Sequence, residues 1–158
     1  MHPRRLGLVG LGLGALSLVA VGTGCLEPGA NTLIGVTASD RQTIDTVSFT
    51  FFDKLPATST AGFVGTTPPS GPSGTPVQCD GKTFVAVTLV SAQAHDQRSQ
   101  ATAQRAVYAK DLFSVAEVCQ VEDFEGHVQY AIGLSTTKAP KLMVLRGNNV
   151  VQVVITPT

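Results

Sequence analysis

Alternation with a period of two constrains this chain more than any other feature. In "TVSFTFF", Thr46–Phe52, the residues Val47, Phe49 and Phe51 fall on one side of an extended backbone and Ser48 and Thr50 on the other. The same pattern, rich in Val, Thr, Ile and Phe, returns in "NTLIGVTAS", "SVAEVCQV", "KLMVLRG" and "VVQVVIT". "KTFVAVTLV", Lys82–Val90, is nearly all apolar or β-branched, as expected of a strand covered on both faces. Strands are expected near Thr32–Ala38, over Thr46–Phe52, near Gly62–Gly65, over Lys82–Val90, and in four later segments. Arg146–Asn149 supplies a turn between the last two. "TTPPSGPSGTP", Thr66–Pro76, cannot join a ladder and is expected as a surface loop. Ser91–Phe113 is the least strand-like region and is expected to be a long loop with one or two helical turns. Seven or eight short strands without repeated long helices predict an all-β fold, a β-sandwich.

The first residues have another character. His2, Arg4 and Arg5 form a basic start, and Leu6–Val21 is uncharged and apolar. Gly22, Thr23 and Gly24 then lead into Cys25. This is the pattern of an export signal ending in a lipoprotein box, cut before a cysteine that carries fatty chains. The expected organisation is a cleaved signal peptide over residues 1–24, a tether over 25–31, and a domain over 32–156. Plain secretion and a retained anchor are the alternatives, although the run is glycine-rich and short for a span of about 20 residues. The protein is thus expected on the extracytoplasmic face of the cell membrane, held by lipid on Cys25.

Removing the leader takes away Arg4 and Arg5 and leaves nine basic residues against eleven acidic ones, spread singly. No basic patch for nucleic acid or for anionic lipid results. Besides Cys25 the chain has Cys79 and Cys119, and outside the cytoplasm such a pair is most simply a disulfide. Two separately buried thiols are the other possibility. Neither belongs to a C-x-x-C and the mature part has two histidines, so no zinc site and no cofactor are expected.

Two places carry titratable groups. In "DFEGHVQYAIGL", Asp123–Leu134, a single strand would put Asp123, Glu125 and His127 on one side and Val128, Tyr130, Ile132 and Leu134 on the other. Such a row could hold a divalent cation, but alternate positions sit about 6–7 Å apart and Gly126 invites a bulge. It is expected to be the wet side of a half-buried strand. In "AHDQR", His95 and Asp96 stand together in a polar loop without an evident nucleophile, which argues ligand contact before catalysis.

Several of these segments together resemble a known family. "DTVSFTF", "SAQAHD" and "SVAEVCQVEDFEGHVQYAIGL" are similar to the AMIN-like domain of lipoproteins from high-GC Gram-positive bacteria. The likeness runs from about Asn31 to Ile155, and "DFEG" followed by alternating residues and "GL" is its most specific part. Asp45 and Phe49 fit the family's early strand, with Thr46 where arginine is usual. The closing "NNVVQVVIT" lacks the charged residues of the family's usual last strand. The resemblance implies a non-catalytic β-sandwich outside the membrane, since related modules bring cell-wall amidases to peptidoglycan or envelope machinery. It does not imply amidase activity.

The expected function is therefore a lipid-anchored module that binds peptidoglycan, a glycan or an envelope protein. The residues expected at its ligand surface are His95, Asp96, Phe124, Glu125 and His127. The competing expectations are an envelope hydrolase or metal-dependent enzyme using the His95–Asp96 loop, and a carrier of a small apolar ligand between the sheets.

Overall fold

The computed structural model describes Gly29 and residues 31–158. The expected signal peptide, Cys25 and most of the tether lie outside the described residues. Nine strands make up the domain: β1 Leu33–Arg41, β2 Ile44–Phe51, β3 Thr58–Gly65, β4 Thr83–Val90, β5 Ala106–Tyr108, β6 Val115–Phe124, β7 His127–Leu134, β8 Lys141–Gly147 and β9 Val150–Thr156. All pair antiparallel, in a sheet ordered β1-β2-β9-β8 and a sheet ordered β3-β4-β7-β6-β5. The two sheets pack face to face as the alternation predicted. Among the described residues no helix is long and apolar enough to cross a membrane.

The core is the inward half of each alternating segment. Val47, Phe49 and Phe51 of β2, with Val151, Val153 and Ile155 of β9, meet Val85, Val87 and Leu89 of β4 and Val128, Tyr130, Ile132 and Leu134 of β7. Phe49 and Tyr130 meet edge to face with ring centroids 5.3 Å apart, bridging the two sheets. Burying a side chain of this size contributes roughly 1.5–3 kcal/mol.

Asp45 is fully buried at the start of β2. Its carboxylate accepts hydrogen bonds from the backbone N–H groups of Phe113, Ser114 and Val115 and from the Ser114 hydroxyl. Four donors replace the water that the charge loses, and they tie the entry of β6 in one sheet to β2 in the other.

Thr66–Pro76 is a surface loop as expected, and the segment that follows it has a further role. The chain crosses the outer face of the five-stranded sheet before β4, and the Cys79–Cys119 disulfide pins it there. The Asp80 N–H donates to the Glu117 carboxylate at 2.7 Å. A Cβ built on Gly133 would stand 1.9 Å from the Asp80 carbonyl oxygen, so only glycine lets this crossing lie flat on β7. The cover buries Phe84, Glu117, Cys119 and Ala131, all on the outward face of their strands. The first half of β4 is therefore covered on both sides.

Ser91–Phe113 departs from expectation. It contains β5 and no helix among the described residues. The segment instead seals one open side of the sandwich: Leu33 N–H donates to Gln93 O, Thr102 Oγ1 to Leu33 O, and Val36 N–H to the Gln104 side-chain oxygen. These bonds occupy edge groups of β1 that would otherwise be unpaired.

The stretch Asp123–Leu134 is also corrected. It is two strands joined by a tight turn at Glu125 and Gly126, with φ of 49° and 78°. The expected bulge at Gly126 is a hairpin turn. Phe124 pairs with His127 and Asp123 with Val128, so Asp123 faces the sandwich interior while His127 faces outward. A two-residue turn reverses the chain, and the expected common row of Asp123, Glu125 and His127 does not exist.

Candidate functional site

Asp123 is the residue whose surroundings differ most from expectation. Its side chain is 16 % exposed, not on a wet face. One carboxylate oxygen accepts the Ala94 N–H at 3.0 Å, and the other lies 2.6 Å from Nδ1 of His95. The carboxylate therefore holds the loop and orients the imidazole on it. With Nδ1 committed to Asp123, the other ring nitrogen, Nε2, is the atom left for a ligand.

His95 reaches this place because of its neighbour. Asp96 Oδ1 accepts the N–H groups of Arg98 and Gln100, and Asp96 N–H donates to Gln100 O. The Gln100 N–H first, then the N–H and guanidinium of Arg98, hold the Asp96 carboxyl below its usual range against the opposing effect of burial. Asp96 is thus the clamp of a small closed loop, and the acid that pairs with His95 is Asp123. Sequence adjacency alone does not reveal this partner, 28 residues away.

The pair stands in a groove of about 530 Å³ lined by His95, Ser99, Arg105, Gln120, Glu122 and Phe124 among others. Phe124, at one side, is 58 % exposed. Arg105 is exposed and makes no ion pair within 4.0 Å among the described residues. Behind the groove the Tyr130 hydroxyl donates to Gln104 O at 2.9 Å. Burial, with the nearby Asp123 charge, pushes that phenol above its ordinary range, while Arg105 pulls it back. Tyr130 is held neutral as a support for the groove.

The AMIN-like domain family matches residues 31–156 of this sequence. The chain belongs to the AMIN-like family. No curated protein and no solved structure gives a significant match. Membership makes this AMIN-like protein an envelope component and places it among domains that in general bind rather than catalyse. Features of the likeness now have physical reasons: Asp45 joins the two sheets, and the glycine of the "GL" element is Gly133, over which the pinned crossing lies.

The structure brings His95 and Phe124 into one groove and separates the other expected site residues. Glu125 is exposed in the hairpin turn, and His127 lies beside Phe124 on the outer face. Arg105 and Gln120 were missed because their segments read as loop and as core strand. Cys79, Glu117 and Cys119 bring potential metal ligands within 4.8 Å of one another, but the two sulfurs are bonded to each other and offer no thiolate.

Proposed function

We propose that this AMIN-like protein is a binding module held at the outer face of the cell membrane by acyl chains on Cys25, and that it takes an envelope ligand in the His95–Asp123 groove. The observation that carries this proposal is the oriented imidazole, a guanidinium without an ion pair among the described residues and an exposed aromatic side chain, all lining one solvent-open hollow. Such convergence of a few polar groups with an apolar contact is what ligand sites share. Family membership supports peptidoglycan or another envelope polymer as the ligand. The anchoring chains would hold the protein firmly at about 0.8 kcal/mol per buried CH₂ if two or more are attached. Retention of the full chain on purified cell wall, reduced at least tenfold by His95→Ala or Phe124→Ala, is the expected result. Equal retention of the variants and the parent would remove the groove from the proposal.

The His95–Asp123 contact also favours a second, hydrolytic role. An imidazole oriented by a carboxylate can take a proton from water or from a hydroxyl, and Arg105 could stabilise developing negative charge. Turnover of cell-wall fragments that His95→Gln abolishes would establish it. Unchanged fragments after prolonged incubation with the parent protein would dismiss it. The apolar-carrier alternative gains nothing here, because core side chains occupy the space between the sheets among the described residues and the His95–Asp123 groove opens to solvent.

A further inference from the structure

The groove has a feature that its side chains alone do not explain, namely a bare strand edge. β5 pairs with β6 only over Ala106–Tyr108 against Glu117–Cys119, and the Gln120 N–H closes this ladder on Arg105 O at 2.7 Å. β6 then continues to Phe124 with β7 on one side and no ladder partner on the other among the described residues. A shift in register between Gln120 and Glu122 leaves Val121 without a partner in β7, and the Thr66–Pro76 loop packs on it instead: a Cβ built on Gly71 would stand 3.1 Å from the Val121 carbonyl oxygen, so the open part of the edge is Glu122–Phe124. Phe124 and His127 flank a two-residue turn and form its hydrogen-bonded pair. The next pair, Asp123 and Val128, is then the non-bonded kind, so the N–H and C=O of Asp123 point away from β7. That direction is the groove.

We infer that the groove takes an extended peptide carrying a carboxylate: the peptide adds as a short strand along Glu122–Phe124, and its carboxylate meets the guanidinium of Arg105, which makes no ion pair among the described residues. This deepens the binding proposal above and rests on it for the location of the site. The added strand would lie about 4.8 Å from β6, bonded through the main-chain groups of Asp123. Arg105 stands where β5 leaves the ladder, at one end of the free edge, and offers a planar fork of donors that matches a carboxylate. Nε2 of His95 accepts a peptide N–H or a hydroxyl when the ring is neutral. Phe124, at the far end, packs against an apolar residue of the peptide. A purely sugar ligand would use the ring and the imidazole but leave the main-chain edge unpaired, so the peptide is the better match.

The test uses the full-length chain and a defined probe, the acetylated tetrapeptide Ala-Glu-Ala-Ala with a free carboxyl terminus. Calorimetric titration should give saturable binding. Amidation of both carboxyls should weaken it at least tenfold, as should Arg105→Gln, whereas Arg105→Lys should recover part of the loss. N-methylation of the central peptide bonds should also weaken binding, since it removes the main-chain donors. Equal affinity for the acidic and amidated peptides, or no effect of N-methylation, would overturn the inference. So would absence of peptide binding alongside specific capture of a peptide-free N-acetylated oligosaccharide. Retention on cell wall that depends on His95, with no peptide bound, defeats this inference and leaves the groove proposal standing. Peptide binding without cell-wall retention defeats the polymer and keeps the inference.

Discussion

His95 and Asp123 are 28 residues apart in the chain and 2.6 Å apart in the fold, and the contact fixes both a ring and a loop. Asp123→Asn keeps the shape of the side chain but turns one acceptor into a donor, which cannot serve both Ala94 N–H and His95 Nδ1–H. The variant should lose roughly 1–3 kcal/mol in urea unfolding. Its His95 should also shift toward the tautomer protonated at Nε2, which nitrogen-detected NMR of the imidazole resolves. A ring tautomer unchanged from the parent would show that Asp123 does not orient it.

Asp45 is the stronger structural test. Its carboxylate serves four donors in a dry place, and Asp45→Ala would leave three backbone N–H groups and a hydroxyl without an acceptor. The expected cost is about 3 kcal/mol or more. Ser114→Ala removes one donor and leaves the carboxylate in place, so its loss should be near 1 kcal/mol. Chemical denaturation of both variants gives the comparison, and equal losses would mean that the carboxylate is not the hub.

The pinned crossing makes a third prediction. Gly133→Ala should be far more harmful than glycine-to-alanine in an ordinary strand, because the new methyl meets a backbone carbonyl that the disulfide holds in place. Breaking the Cys79–Cys119 bridge removes up to about 4 kcal/mol of chain-entropy stabilisation. It also frees the cover over Phe84 and Ala131. Thermal unfolding with and without reductant, run on the parent and on Gly133→Ala, should show the variant already as weak as the reduced parent. Titration of free thiols in the denatured, unreduced protein should find neither Cys79 nor Cys119.

Much of this was legible in the sequence, and the failures have definite causes. The inward alternation at Val47, Phe49 and Phe51 and at Val128, Tyr130, Ile132 and Leu134 survived intact, because period-two burial reports the sheet face directly. The turn at Glu125 was hidden because glutamate is a poor residue for positive φ, so the stretch read as continuous strand. Missing that turn put Asp123 on the wrong face and hid its partner. His95 and Asp96 read together from the sequence, since adjacency is visible there and a contact across loop and strand is not. Arg105 gave no signal at all, because what distinguishes it is a place at a ladder's end on the rim of the groove, a property of the folded chain.

Tyr130 predicts an alkaline limit. Burial raises its folded-state pKa, so above the ordinary phenol value the unfolded chain releases a proton that the folded chain keeps. The folded state then binds more protons than the unfolded state, and stability falls as pH rises. The stabilisation is complete below about pH 10 and declines by roughly 1.4 kcal/mol per pH unit above it from this one group. Tyr130→Phe loses the bond to Gln104 O, about 1 kcal/mol near neutral pH, but also loses this titration. Urea curves at about pH 8 and about pH 11 should show the gap between parent and variant shrinking or reversing. A gap that stays constant would place the hydroxyl in contact with water.

The hairpin at Glu125–Gly126 yields a stabilising change. Glu125 has a φ of 49°, a conformation that costs most L-residues about 1–2 kcal/mol and that asparagine tolerates better. Glu125→Asn would create the Asn-Gly pair that two-residue hairpins favour, without touching a buried atom, since Glu125 is exposed. The variant should gain about 0.5–1 kcal/mol, whereas a true bulge within one continuous strand would gain nothing from it. The turn also sets which face Asp123 presents, so peptide affinity should be unchanged or slightly higher as the edge of β6 becomes better ordered. A loss of stability in Glu125→Asn would mean that the backbone there is not left-handed. The opposite facing of Asp123 and His127 would fall with it, and so would the bare edge that the groove offers to a ligand.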